Sequence, residues 1–403
     1  MKNILVIHPA LVVGGADSVL ISYLNILAKH SDKYQVELVL LEDRQNHNIS
    51  EISNNIKITH LLNGIESEFF IYCLLRLENH PESAYFHSWF TGIQEKINAL
   101  LLEKINTNHY DLIIDFHTNH SAFENFLNKY DVYIPTIRWI HSNYYLERWE
   151  NDPNYYSYIL SKYKVLITIA DEMSERVYRI LNQFNLNDKV KVLRLYNPLD
   201  IDTINKKSLE KLSEQDEILL QENFLLQVSR LEKLKNIVQL VEIYYELKQR
   251  GIKEKLYIIG DGQQKEEVQE TIIQLGLENE CFVLGERANP FPFMRKAKLF
   301  LHTSLLEGLG MVLIESMVCN TPVVAYSCLT GPRDILDNGK YGELIPINNK
   351  QLFIEKTYEL LMNNEKYLHY MQLLPEAIER FKSSTIEKQL LELIENVMNK
   401  TES

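Results

Sequence analysis

The sequence predicts an α/β protein built from two doubly wound, Rossmann-like domains. Short β-branched runs alternate with longer amphipathic segments along most of the 403 residues. The alternation is interrupted once by a charged, irregular segment and then starts again. Such alternation is typical of βαβ units and parallel sheets. A chain of this length also suits two domains better than one core.

The apolar runs predict strands in both halves of the chain. In the first half they lie at 4–7, 36–41, 56–59, 112–116, 134–140, 165–169 and 190–195, with helices at 18–30 and 171–182. The charged segment 202–222 is the best candidate for a linker. Strands then follow at 224–228, 255–259, 281–283, 298–301, 322–325 and 342–344, with helices at 237–250, 264–276 and 311–318. We therefore expect domains at 1–200 and 201–383.

Composition excludes several classes of function. There are 42 basic and 55 acidic residues, a net charge of −13, and no basic block, which argues against nucleic-acid binding. The four cysteines lack the C-x-x-C spacing of a zinc site and indicate reduced thiols in a cytosolic protein. The N-terminus resembles a buried strand rather than a signal peptide, and no apolar run reaches the ~18 residues of a membrane span. We expect a soluble or at most peripheral protein.

Glu307 and Glu315, with seven residues between them, form the most informative motif. An apolar run precedes Glu307, a turn with two glycines follows, and a predicted helix then carries Glu315. The backbone N–H groups of Gly310, Met311 and Val312 would lie at the helix N-terminus, where phosphates bind readily. Carboxylates bind vicinal hydroxyls, so the motif predicts a sugar-nucleotide site, although two solvated glutamates remain an alternative.

Other turns carry glycines or cations after predicted strands. Gly14 and Gly15 follow the first strand and would allow a close backbone approach to a phosphate, or form only a tight turn. Gly262 belongs to Gly260-Asp261-Gly262, which lacks the third glycine of a dinucleotide-binding fingerprint. Arg230 and Lys235 span one strand-to-helix turn, and both side chains can reach one diphosphate, unless they are solvated turn residues.

Two histidines and two aromatic segments are weaker candidates. His141 follows the strand at 134–140, and His117 follows the strand at 112–116; a lone histidine is more often structural. The aromatic segments 69–77 and 85–90 predict a packed helix of the first domain's core, with an acceptor platform or a membrane-docking face as alternatives.

These positions together resemble the family 4 retaining glycosyltransferases of the GT-B fold. The resemblance includes the Gly14-Gly15 loop, Ile140-His141, Ser229-Arg230-Leu231 with Lys235-Asn236, Gly260-Asp261-Gly262, the two glutamates and Gly331-Pro332-Arg333. It implies two Rossmann-like domains facing a central cleft, with a C-terminal helix at 384–403 packing back on the first. Within that family, the sequence most resembles bacterial enzymes that build lipopolysaccharide, capsule or other surface glycans.

The resemblance also implies a role for each residue. Arg230 and Lys235 would hold the donor's diphosphate, Glu315 the ribose hydroxyls, and Glu307 the transferred sugar. Gly15, Gly262 and the amides of Gly310 to Val312 would bind the donor, and His141 would position the anomeric carbon. The donor would be a UDP-sugar and the acceptor an oligosaccharide or glycolipid, with peripheral contact at the inner membrane surface.

The resemblance predicts retention of the anomeric configuration and no metal or other cofactor. Two other functions remain open: an enzyme like the UDP-sugar 2-epimerases, and a non-catalytic subunit that binds a sugar nucleotide. Glycoside hydrolysis is disfavoured because paired hydrolytic carboxylates need no diphosphate clamp.

Overall fold

The structure, a computed structural model, describes residues 1–12, 15–43, 49–116 and 122–399. The chain forms two compact units. The first unit comprises Met1–Ile169, Met173–Pro198 and the described part of Ile386–Ser403, and the second comprises Ala170–Glu172 and Leu199–Thr385. Each unit is built around its own parallel sheet.

The first unit contains a seven-stranded sheet in the order β3-β2-β1-β4-β5-β6-β7. Its strands are β1 (Lys2–His8), β2 (Tyr34–Leu40), β3 (Lys57–His60), β4 (Leu112–Asp115), β5 (Thr136–Ile140), β6 (Val165–Thr168) and β7 (Lys191–Arg194). Each neighbouring pair is parallel. The order reverses between β1 and β4, as in doubly wound folds, where ligands bind beyond the carboxyl ends of the strands.

The second unit contains a six-stranded sheet in the order β10-β9-β8-β11-β12-β13. Its strands are β8 (Phe224–Val228), β9 (Lys255–Ile259), β10 (Cys281–Gly285), β11 (Leu299–His302), β12 (Val323–Ser327) and β13 (Glu343–Pro346). All pairs are again parallel, and their inward side chains form a closed apolar core. The predicted strands of both units are present within two residues of their expected ends.

Helices connect the strands in both units. In chain order they are α1 (Gly15–Ala28), α2 (Gly64–Asn79), α3 (Ala84–Thr107), α4 (Ala122–Lys129), α5 (Leu146–Asn151), α6 (Pro153–Leu160), α7 (Asp171–Gln183), α8 (Ile201–Lys207), α9 (Glu214–Leu219), α10 (Ile237–Gln249), α11 (Lys265–Gln274), α12 (Phe291–Lys296), α13 (Met311–Val318), α14 (Pro332–Ile335), α15 (Lys350–Met362), α16 (Asn364–Glu379) and α17 (Ser383–Asn399). In α17, Glu387 contacts Lys29 and His30 just beyond the end of α1, at 3.2 and 2.8 Å.

The predicted irregular linker at 202–222 is wrong, because α9 and all but the first residue of α8 lie within it. The side chain of Asp200 caps the first helix by accepting from Thr203 N at 3.0 Å, and Ser213 caps the second by accepting from Asp216 N at 3.2 Å. Such caps satisfy N–H groups that a short helix leaves unpaired. The dense charge pattern concealed these helices, since only Ile201 and Ile204 of α8 carry a buried apolar signal.

The aromatic segments form α2 and α3, which pack only partly into the core. The buried residues are Ser67, Phe70 and Cys73 in α2, and Ile97, Asn98 and Leu101 in α3. By contrast, 43% of Tyr72 and 61% of Tyr85 is exposed. The prediction of a packed core helix is therefore correct for Phe70 and Cys73 of α2 and wrong for the segment 85–90, in which no residue is buried.

Candidate functional site

Three loops meet at the carboxyl edge of the second sheet. They follow β8, β11 and β12, which are neighbours in the sheet. The order of strands reverses between β8 and β11, so this edge is a topological switch point, where open α/β sheets bind their ligands. The loops contain Arg230 and Lys235, then Glu307 and Gly310, and finally Thr330 and Gly331.

Gly260 and Gly262 hold the first of these loops in place. A Cβ atom at Gly260 would lie 1.8 Å from the carbonyl oxygen of Ser229, and one at Gly262 would lie 2.5 Å from that of Leu231. Both glycines also have φ values of +137° and +155°, which L side chains rarely adopt. The loop after β9 therefore packs directly on the backbone that precedes Lys235. This packing explains why glycine is needed at 262, whether or not its backbone also touches a ligand.

The loop after β11 is tied to the turn that carries Lys235. Leu305 N donates to the carbonyl oxygen of Leu234 at 2.8 Å. The buried hydroxyl of Thr303 lies 3.1 Å from Lys235 O and 3.2 Å from Asn236 O. Asn236 adopts the left-handed conformation with φ +57° and starts α10. These contacts fix Lys235 beside the loop that carries Glu307.

Lys235 and His302 converge on one oxygen of Glu307. Lys235 Nζ lies 2.6 Å from Glu307 Oε1, and the Nε2 atom of His302, the last residue of β11, lies 3.0 Å from the same oxygen. The His302 contact departs from the angles of a regular hydrogen bond. His302 is fully buried, and 10% of the Glu307 side chain is exposed. The three side chains form a compact, largely water-excluded cluster.

The cluster keeps Glu307 ionised. Burial raises the pKa of its carboxyl, but the neighbouring His302 and Lys235 lower it by more, so the pKa falls to about 2. The backbone of Glu307 is also held, because the hydroxyl of Thr330 lies 2.5 Å from its carbonyl oxygen. Leu306 pairs with Leu329 in an isolated parallel bridge. Glu307 is thus a fixed anion at the edge of the sheet.

Gly331 allows the third loop to approach the second. A Cβ atom there would lie 1.9 Å from the carbonyl oxygen of Leu309, and its φ is +94°. The close approach places the loop after β12 against the backbone between Glu307 and Gly310. Neither the glycine pattern nor the hydrophobic pattern of the sequence reveals this contact, because it joins residues from separate βα units.

Gly310 and α13 present backbone donors beside Glu307. Gly310 is the N-cap residue, in the left-handed conformation with φ +85°, and no side chain among the described residues caps the helix. The first N–H groups of an α-helix have no partner within the helix. Those of Met311 and Val312 are therefore available at its N-terminus, where the helix dipole favours an anion.

Glu315 lies one turn into α13 and is only partly exposed. Burial raises the pKa of its carboxyl to about 7. Among the described residues, none donates a hydrogen bond or an ion pair to this carboxylate. The ionised form of the Glu315 carboxyl would therefore be stabilised only by hydrogen-bond donors of a ligand, such as a pair of hydroxyls.

Arg230 does not join the cluster around Glu307. It forms an ion pair with Glu232 of its own turn at 2.7 Å, and 76% of its side chain is exposed. An exposed pair of this kind contributes little to stability. The side chain can therefore leave Glu232 for a phosphate at small cost.

The remaining predicted residues lie in the first unit. His141 follows β5, and its Nε2 lies 3.1 Å from the carbonyl oxygen of Phe116, with the two rings 4.7 Å apart. Gly15 is the first residue of α1. Gly14 and His117 lie outside the described residues.

His302 was missed by the sequence argument. It ends the apolar run Leu299-Phe300-Leu301 and precedes Glu307 by five residues. A polar residue that closes a buried strand just before a candidate motif is the signal that would have identified it.

Among the described residues there is neither a cluster of metal ligands nor a helix suited to span a membrane. In the described parts of the chain, no three or more His, Cys, Asp and Glu side chains are grouped so that they could hold a metal ion. Within the same residues, no helix combines the length and the apolar character that crossing a bilayer requires.

Comparisons with known proteins agree with this architecture. Residues 208–372 match the family model of the glycosyl transferases group 1. A Campylobacter jejuni N-acetylgalactosamine-N,N'-diacetylbacillosaminyl-diphospho-undecaprenol 4-alpha-N-acetylgalactosaminyltransferase is 32% identical over 186 residues, which are 46% of this chain and 48% of that protein. A Salmonella typhimurium lipopolysaccharide 1,6-galactosyltransferase is 31% identical over 131 residues, 32% of this chain and 36% of that protein. The chain spans about half the length, or less, of the curated relatives it matches.

Solved structures match nearly the whole chain, and two of them are related to surface glycans or to UDP by their names. Anabaena HepE in complex with UDP and glucose has a TM-score of 0.70 at 19% identity, covering 98% of this chain and 100% of that one. The lipopolysaccharide outer core galactosyltransferase WaaB in its apo form has a TM-score of 0.71 at 18% identity, with 100% of both chains covered. At this identity the likeness concerns the fold, and the predicted GT-B class of two Rossmann-like units is confirmed.

Proposed function

We propose that this chain transfers a hexose or N-acetylhexosamine from a UDP-sugar to a saccharide or glycolipid acceptor, since residues 208–372 match the family model of the glycosyl transferases group 1. The product would be part of a bacterial surface glycan, and the reaction would take place in the cytoplasm, where its donor is made. The observation that carries the proposal is the cluster of Glu307, Lys235 and His302 beside the open N-terminus of α13.

The second unit offers separate partners for each part of a sugar nucleotide. The amides of Met311 and Val312 and the ammonium of Lys235 suit the diphosphate. Lys235 has three N–H donors and uses one on Glu307, so two remain for phosphate oxygens. Arg230 adds a bidentate contact once it leaves Glu232. Glu315 accepts from the ribose hydroxyls, and Glu307 accepts from a hydroxyl of the transferred sugar.

The choice of donor is supported by similar proteins. HepE has been solved with UDP and with UDP-glucose, at 19% identity to this chain. Relatives in surface-glycan assembly include transferases named for galactose and N-acetylgalactosamine. We extend these names to the present chain only as the class of donor, a UDP-linked hexose or N-acetylhexosamine.

In the proposed reaction the bond between the anomeric carbon and the leaving phosphate oxygen breaks. A bond to the acceptor oxygen forms on the same face of the sugar, so the configuration is retained. The acceptor's proton moves to the leaving phosphate oxygen. Negative charge builds on the diphosphate, and preorganised donors that meet such charge are usually the largest catalytic term. Lys235, Arg230 and the amides of α13 are those donors.

Residues of the first unit complete the proposal. We assign Gly14 and Gly15 to the diphosphate and His141 to the donor sugar, each on the family resemblance of its turn. The acceptor side is assigned to this unit as a whole, with peripheral contact to the inner membrane surface where the acceptor is a glycolipid. Neither assignment affects the test of transfer itself.

The decisive experiment measures UDP release from a panel of UDP-sugars. The wild type and Glu307→Ala are compared in excess EDTA, with and without a crude glycolipid extract. Release that is stimulated by the acceptor and lost in the variant is the expected result, and the active donor names the sugar. Release restored only by adding Mn²⁺ would overturn the metal-independent part of the proposal. No release from any UDP-sugar in the presence of the extract would contradict the transferase assignment.

A further inference from the structure

His302 has no role in the scheme above, although it touches the central carboxylate. Its imidazole is fully buried at the end of β11, where the preceding residues of the strand are all apolar. Burying a polar ring without full hydrogen bonding is unfavourable, and a leucine would continue the strand's pattern. The cost indicates that the ring serves Glu307, 3.0 Å away.

Nε2 is the nitrogen of the His302 ring that meets Glu307, at 3.0 Å. Nε2 faces a carboxylate oxygen, so a proton on Nε2 turns a repulsive contact into an attractive one. Nδ1 has no hydrogen-bond partner among the described residues. A proton on Nδ1 would therefore be a buried donor without an acceptor, which is unfavourable. A hydrogen on Nε2 therefore makes the ring a donor to Glu307.

Two contacts on one oxygen hold the carboxylate, a hydrogen bond from Lys235 and the close approach of His302. A single contact from Lys235 would leave the group free to turn about the last torsion of glutamate, which has a broad profile. His302 reaches Oε1 from β11 and Lys235 from the turn after β8, so the two contacts come from different elements. Oε2 accepts no hydrogen bond from any described residue and is left to face a ligand.

We propose that His302 is a positioning residue that, together with Lys235, holds Oε1 of Glu307 so that Oε2 accepts from the donor sugar. This inference rests on the proposed function for the identity of the sugar, but the orientation of Glu307 does not depend on it. His302 touches Glu307 and no part of the substrate.

The test compares two substitutions of His302. Gln places a neutral N–H donor near the position of Nε2, whereas Leu fills the space without a donor. We expect His302→Leu to lower kcat by about 10- to 100-fold, as the loss of an orienting partner typically does. The affinity for UDP, which lacks the sugar, should be unchanged. His302→Gln should recover most of kcat.

A matched control shows whether lost stability alone explains the result. Tyr326 lies on the neighbouring strand β12, is buried, and donates to Gln239 at 2.7 Å. Tyr326→Phe removes one buried hydrogen bond from the same sheet without touching Glu307. It should lower the melting temperature and leave kcat unchanged. An equal loss of kcat in Tyr326→Phe and His302→Leu would overturn the positioning role.

An independent readout separates this inference from the transferase assignment. The carboxylate of Glu307 can be titrated by NMR and assigned by its absence in Glu307→Gln. His302 lowers the pKa of this carboxyl, so His302→Leu should raise it and His302→Gln should restore it. This shift is expected even if no UDP-sugar proves to be a donor. An unchanged pKa in His302→Leu, or unchanged kcat in an active enzyme, would contradict the proposal.

Discussion

Glu307 and Glu315 belong to one short motif but experience opposite electrostatic environments. Burial is the largest single influence on both carboxyls, and by itself it raises the pKa of each. Glu307 nevertheless has a pKa of about 2, and Glu315 one of about 7. The difference comes from partners, since Lys235 and His302 surround Glu307, and no described residue donates to Glu315. Burial thus raises the pKa of both carboxyls, and the neighbouring donors determine which of them is ionised.

The contrast suggests different times of action in the proposed cycle. Glu307 is an oriented anion before any ligand arrives. Glu315 is close to half protonated near neutral pH, and hydroxyl donors from a ribose would favour its ionised form. Donor binding should therefore release a proton at Glu315 and leave the charge of Glu307 unchanged.

The largest expected effect is the loss of kcat when Glu307 loses its partner Lys235. Lys235→Ala removes a donor to Glu307 and a charge for the leaving diphosphate, so kcat should fall by roughly 10²–10³. Lys233 lies in the same short turn and is exposed, which makes Lys233→Ala a matched control with near-normal activity. Steady-state UDP release measures both. A folded Lys235→Ala enzyme that matched Lys233→Ala would remove this ammonium from the mechanism.

The next effect tests whether the third loop supports Glu307. Gly331→Ala would place a Cβ atom 1.9 Å from Leu309 O at a φ of +94°. We expect a loss of about 2–3 kcal/mol in the free energy of unfolding, and a lower kcat. Gly276→Ala is the control, because its φ is +66° with nothing within 4 Å of the added atom, and about 1 kcal/mol should be lost. Urea unfolding curves give both values; equal losses would refute the close approach.

The raised pKa of Glu315 predicts that the stability of the protein changes with pH. The folded pKa of about 7 exceeds the ordinary value of 4.5, so the folded state keeps a proton that the unfolded state loses between these values. Stability should therefore fall as pH rises from about 5 to 8. Glu315→Gln removes this penalty and should be more stable than wild type at pH 8 by up to about 2 kcal/mol, since the carboxylate is partly open to water.

Thermal unfolding at pH 5 and pH 8 checks this prediction. The advantage of Glu315→Gln should disappear near pH 5, where the wild-type carboxyl is protonated in the folded state. The opposite sign applies to Glu307, whose pKa of about 2 lies below 4.5. Its ionised form stabilises the fold above pH 4.5, and that contribution is lost as pH falls toward 2. If the difference in stability between Glu315→Gln and wild type were the same at pH 5 and pH 8, Glu315 would not be desolvated.

The smallest effect concerns binding. Glu315→Gln exchanges a charged acceptor for a neutral one and should weaken UDP binding by about tenfold. The same variant would thus be more stable at pH 8 and bind less well. Isothermal titration with UDP measures the change, and titrations in buffers of different ionisation enthalpy detect the proton released by the wild type. If Glu315→Gln bound UDP as tightly as wild type, the ribose assignment would fail.

Much of the fold was predictable because local patterns and the parallel sheets agree. Apolar runs such as Phe224–Val228 and Lys255–Ile259 appear as strands with the expected limits, since strands buried on both faces need continuous apolar residues. The short helices α8 and α9 were not predicted, because their caps outweigh a weak apolar pattern. The exposed face of α2 and α3 was also not predicted, because aromatic content does not show which face of a helix pair is covered.

The sequence by itself determined the two glutamates, the glycine turn that follows Glu307 and the helix that carries Glu315. It also supplied Lys235 and Arg230 as candidates, because strand-to-helix turns are local. Only the tertiary structure decided that Lys235 pairs with Glu307 while Arg230 pairs with Glu232. It also brought His302 to the same carboxylate. A pKa depends on charges and burial within a few ångströms, and for Glu307 the decisive ammonium of Lys235 comes from 72 residues away in the chain.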